Sequence, residues 1–117
     1  VIDETARQLG RMIGQGEEYR ALQRAREALE GDKSMADKLR RLEELAAKLQ
    51  DRVVQGMEPA EADADEYDRL FNEVQTSLSY QQLVSAQSNF DKVMHGVQER
   101  IVEGMQQGAQ SRIITLT

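Results

Sequence analysis

A chain of 117 residues, 39% apolar and 31% charged, is long enough for one domain with a modest core and too apolar to stay disordered. It has no cysteine, which excludes disulfides, thiolate metal sites and a cysteine nucleophile, and its net charge of −6 opposes a phosphate backbone. No apolar run reaches the ~20 residues of a membrane span, Val1-Ile2-Asp3-Glu4 lacks the layout of a signal peptide, and the lack of cysteine is compatible with a reducing cytoplasm.

The first helix is expected from Asp3 to about Leu29. Ile2, Ala6, Leu9 and Ile13 recur at steps of four and three, and Tyr19, Leu22, Ala25 and Leu29 continue on a rotated stripe. Gly10, Gly14 and Gly16 each cost a helix ~1 kcal/mol against Ala. Either a close neighbouring helix or a kink near Gly14 accounts for them. Gly31 then suits the left-handed position after a helix, and Asp32 suits the N-cap of the next. So short a link predicts antiparallel neighbours.

The second helix, from Lys33 to Gln55, has the cleanest seam: Met35, Leu39, Leu42, Ala46, Leu49 and Val53, widened by Leu45. Gly56 ends it. Pro59 fits a first helical turn, and the acids from Glu61 to Glu66 favour the positive end of a third, shorter helix that closes near Ser77. Ala60, Ala64, Tyr67, Phe71, Val74 and Leu78 make its inward stripe, with Leu70 flanking. The acidic run lacks the glycine and ligand spacing of a calcium loop.

Ser79-Tyr80-Gln81-Gln82 matches a capping box for the last helix, with Leu78 and Leu83 as its hydrophobic staple. Leu83, Gln87, Phe90, Met94, Val97, Ile101 and Gly104 continue its seam, and Gly104 and Gly108 suit either a close crossing or a frayed end. The expected fold is therefore all-α: an antiparallel bundle of about four helices over residues 1–108. The tail, 109–117, is expected to be disordered or a short strand. The seam residues Leu9, Ile13, Leu22, Leu39, Leu42, Leu49, Phe71, Phe90, Val97 and Ile101 outrun what the short third helix covers. Sharing them in a homodimer or higher oligomer is the expected remedy.

Signs of catalysis are missing. His95, the single histidine, has Asp91 and Glu99 four residues to either side, which makes a surface ion pair rather than an acid–base site. There is no phosphate loop, nucleophile elbow or metal spacing, so no catalytic, cofactor or metal residue is assigned. Arg20, Arg24, Arg40 and Arg41 are the candidate contacts for a protein partner. Their acidic neighbours make direct nucleic-acid binding the weaker reading, beside that of a purely structural coiled coil.

Leu9-Gly10, Glu18-Tyr19, Leu22, Ala28-Leu29, Asp32, the run Leu39/Leu42/Leu45/Leu49, and Leu83-Val84-Ser85-Ala86-Gln87-Ser88-Asn89-Phe90 with Val97 and Ile101 form one ordered set. From about Thr5 to Met105 the chain resembles the YlbF/YmcA-like family of bacterial competence regulators. The resemblance implies a cytoplasmic, helical, oligomeric protein that regulates without catalysing. Some family members form a complex that supports competence, sporulation and biofilm formation and assists RNase Y in mRNA processing. Iron–sulfur clusters linked to that complex depend on cysteines, so that property does not carry over to this chain.

Overall fold

The computed structural model describes the backbone of residues 1–116 and the side chains of residues 1–111. Five helices follow one another: α1 (Ile2–Gln15), α2 (Glu17–Glu30), α3 (Lys33–Val54), α4 (Glu61–Gln75) and α5 (Leu78–Leu116). The all-α expectation holds, with one helix more than expected. The extra boundary is Gly16, whose extended backbone (φ −72°, ψ 155°) divides the long first helix. The break is therefore at Gly16, not near Gly14. Glu17 and Glu18 follow it directly, and their charges favour the exposed N–H end of a new helix. No close neighbour explains the two earlier glycines within this chain, because a Cβ built at Gly10 or Gly14 meets nothing within 4 Å.

Several local signals act as read. The Asp32 carboxylate accepts from the Met35 backbone N–H at 3.1 Å and caps α3. Gly56, at φ +72°, closes α3 in a Schellman arrangement: its N–H reaches the Val53 carbonyl and that of Met57 reaches the Arg52 carbonyl. Others differ. Gly31 stays right-handed (φ −77°, ψ −10°), since the two-residue link does not need a left-handed residue. Pro59 lies ahead of α4, which begins at Glu61 where the acids meet the helix end. The cap of α5 is Ser77 rather than Ser79, with Ser77 Oγ accepting from the Tyr80 N–H at 3.3 Å. Leu78 thus becomes the first helical residue and is exposed. The tail continues α5 in backbone as far as Leu116 instead of turning to strand or coil, for Ala109, Gln110 and Ser111 contain no helix breaker. Thr117 lies outside the described residues.

The pairing of helices departs from the expected order of neighbours. α2 packs on α5 and α3 on α4, while α2 and α3 touch only slightly. Each pair is antiparallel. Tyr19 meets Phe90 with ring centroids 5.6 Å apart while Arg26 reaches Gln87, and Lys38 reaches Glu73 while Arg41 reaches Glu66. Two cores result. Met35, Leu42, Leu45, Leu70 and Val74 fill the α3/α4 pair, joined at the edge by Leu29 and Tyr80. Leu22, Ala25 and Ala86 fill the α2/α5 pair, with Leu83 and Phe90 against them. Ala25 facing Ala86 lets the two backbones approach closely, so this core is thin.

The inward stripes are rotated from the expected seams. Leu45, fully buried, is the centre of α3, whereas Ala46 and Val53 face outward. On α4, Leu70 points inward and Phe71 lies outside, stacked on Tyr67 at 6.0 Å. A straight helix drifts about 20° per heptad from a 3.5-residue period, which moves the stripe between adjacent positions. The molecule is long, 72 × 36 × 21 Å, because the distal half of α5 and α1 project beyond the two cores.

Candidate functional site

The outer face of α5 carries a shallow groove of about 750 Å³, walled on one side by Arg26 of α2. Tyr80, Val84, Ser88, Asp91 and His95 follow one another at steps of three and four and so share a single helix face. The upper end is apolar: Val84 is half-exposed at 50%, beside Tyr80 and Leu83. The lower end is polar. Arg26 Nη2 donates to Gln87 Oε1 at 3.4 Å, and Gln87 Nε2 donates to Asp91 Oδ1 at 2.9 Å. His95 Nε2 lies 3.0 Å from Glu99 Oε1, the surface ion pair expected of it, while Asp91 turns to Gln87 instead. An apolar strip with an ordered polar rim suits one face of a peptide or helix. Among the described residues, no group of three or more His, Asp or Glu side chains is placed to hold a metal ion.

Residues 2–106 match the family described as control of competence regulator ComK, YlbF/YmcA. The chain belongs to the YlbF/YmcA family. Two UPF0342 proteins of Limosilactobacillus reuteri, from strain DSM 20016 and from subsp. reuteri strain JCM 1112, are each 26% identical to it over 105 residues, covering 90% of this chain and 85% of theirs. A solved protein of unknown function (DUF964) from Bacillus stearothermophilus superposes with a TM-score of 0.60 at 16% identity, over 90% of this chain and 92% of that one. At that identity the likeness concerns the fold alone.

In this YlbF/YmcA-family chain the expected seam residues divide into three places. Leu22, Phe90, Leu39, Leu42 and Leu49 lie in or beside the two cores, where Leu22 and Leu42 are buried and the others half-buried. Leu9, Ile13, Val97 and Ile101 lie on the projecting arms, and Phe71 is outside. The arginines are spread apart rather than gathered. Arg24 pairs with Glu17 along α2, and Arg40 with Asp37 at 3.4 Å.

Arg41 is the most committed of them. Its Nε and Nη2 donate to the two oxygens of Glu66 at 2.7 and 3.0 Å, a fork-on-carboxylate pair that ties α3 to α4, and Nη1 reaches Glu44 at 3.3 Å. It is thus part of the fold. The hydrogen bonds that Arg41 donates to Glu66 and Glu44 push its guanidinium above its ordinary range, and they hold the Glu66 carboxyl below the usual carboxylate value. A carboxyl depressed in the folded state stabilises the fold above its unfolded pKa and loses that contribution as pH falls through the folded one. Glu66→Gln should therefore lower Tm at pH 7, and the gap to the parent should begin to narrow only as pH falls below the ordinary glutamate value of about 4.3. Thermal melts of both proteins from pH 3 to 7 measure it; a gap that stays constant across the range would contradict the pairing.

Proposed function

We propose that this protein is a non-enzymatic regulatory adaptor that works by binding another protein through the outer face of α5. The observation that carries this reading is the groove itself: exposed Val84 next to half-buried Tyr80, beside a polar rim already ordered by Arg26, Gln87 and Asp91. Membership of a family described by control of a competence regulator supports a regulatory role. Support of RNase Y-dependent mRNA processing, and of competence, sporulation and biofilm formation, is the finer part of the proposal and rests on the family resemblance. So does a cytoplasmic location; among the described residues no helix is long and apolar enough to cross a membrane.

The test compares the parent with Val84→Glu, a change at an exposed position that leaves both cores intact. The parent immobilised in a bacterial lysate should retain one protein in stoichiometric amount, identified by mass spectrometry, and Val84→Glu should lose it. No stoichiometric capture by the parent, or equal capture by both, would overturn the proposal. A nucleic-acid accessory is the competing reading. RNA affinity that falls steeply with salt would favour it, because each phosphate contact releases counterions.

A further inference from the structure

The far end of the α3/α4 pair, away from α5, exposes apolar side chains that its turn does not require. Val53 and Val54, the last residues of α3, are 59% and 75% exposed, and Met57 beyond Gly56 is 45% exposed. The turn is closed by backbone bonds from the Gly56 and Met57 N–H groups to the Val53 and Arg52 carbonyls, which polar residues at 53, 54 and 57 would make equally well. Apolar side chains exposed singly are ordinary, but three within five residues mark a contact surface.

The charge around this tip has one sign. Residues 51–68 hold seven carboxylates and a single cation, the half-buried Arg52, so their net charge of −6 equals that of the whole chain. Among the described residues, only Glu66 of the seven has a cation within 4 Å. Asp51 and Glu58 flank Val53, Val54 and Met57 in the chain. Glu61, Asp65 and Asp68 recur at steps of four and three, so they share one face of α4. Glu61 gains from the exposed N–H groups at the start of that helix. Asp65 and Asp68 have no such return, since like charges three and four residues apart weaken a helix.

We propose that this tip docks a basic amphipathic helix of another protein, whose cations lie along Glu61, Asp65 and Asp68 and whose apolar anchor covers Val54 and Met57. The unbranched thioether of Met57 adapts to anchors of different shape. The charge decides among occupants. Nucleic acid and anionic lipid are repelled, and a second copy would bring the same negative tip against this one. The surface shares no residue with the groove at Val84, so it stands or falls separately from the adaptor reading; the two faces together would let one chain join two proteins.

The probe is a labelled helical peptide of about 14 residues, with lysine on one face and leucine on the other. At about 0.15 M salt it should bind the full chain with a Kd below about 100 μM by fluorescence anisotropy, and its counterpart with glutamate for lysine should not. Val54→Glu adds negative charge and removes an apolar contact, so it separates docking from simple attraction. Docking predicts binding about tenfold weaker than the parent's, whereas attraction of charge alone predicts tighter binding. Asp65→Lys/Asp68→Lys should weaken binding by a similar factor. These positions are exposed, so both cores stay intact. Bound peptide should also slow peroxide oxidation of Met57, while Met12 and Met105, 64% and 66% exposed, keep their rates. No binding by the parent, binding that Val54→Glu leaves equal or tightens, or protection of Met12 and Met105 in place of Met57 would overturn the proposal.

Discussion

Leu45→Asp is expected to leave the chain without stable tertiary structure at 25 °C. Leu45 is wholly buried at the centre of the α3/α4 pair, among Met35, Leu42, Leu70 and Val74. Among the described residues no cation is positioned to receive a carboxylate there; Arg41, on the rim, is already forked onto Glu66. Burying an unpaired charge and opening a cavity at the same point costs more than the about 5–15 kcal/mol margin of a small domain can absorb comfortably. Leu45→Ala isolates the packing part and should cost about 2–5 kcal/mol. Urea unfolding followed by circular dichroism measures both. A cooperative transition for Leu45→Asp at the parent's midpoint would show that the centre of the core has been misplaced.

The second large effect is expected at Leu22, for a different reason. Among the described residues Leu22 is the one large side chain fully buried between α2 and α5; its buried companions are Ala25 and Ala86, which contribute little apolar area. Leu22→Ala removes most of what joins these helices, at about 2–5 kcal/mol. Since the α3/α4 core is a separate cluster, the loss should be regional. Hydrogen exchange should accelerate in α2 by a factor of ten or more, each 1.4 kcal/mol being tenfold, while amides of α3 keep the parent's rates. Uniform acceleration across α3 and α4 would mean that the two cores unfold as one.

Much of this architecture was legible in the chain itself, and for identifiable reasons. Leu39, Leu42, Leu45 and Leu49 recur too regularly for any state but helix, and Asp32 and Gly56 mark the ends of α3 through chemistry that acts within a few residues. Signals that compete at short range were harder to rank. Ser77 and Ser79 are both good caps two residues apart, and only the one whose Oγ reaches the amide three residues on is used. Gly10, Gly14 and Gly16 were equal as breakers until the acids Glu17 and Glu18 are weighed as the start of a new helix. The pairing of α2 with α5 is set by shape complementarity between residues some sixty positions apart, such as Arg26 and Gln87, and periodicity along one helix does not encode it. For the same reason the groove face was invisible as a site. Tyr80, Val84 and Asp91 flank a stripe whose buried and exposed members are alike in sequence, and only the placement of α2 decides which flank stays open.

Gly16 adopts dihedral angles that any L-residue tolerates, so its identity matters through space rather than conformation. A Cβ there would come 3.1 Å from the carbonyl oxygen of Ile13. A side chain there would need that oxygen to give by a few tenths of an ångström, so any residue larger than glycine loads the joint between α1 and α2. The heading of α1, about 20 Å of helix, is thus set at a joint that has little room for even a methyl group.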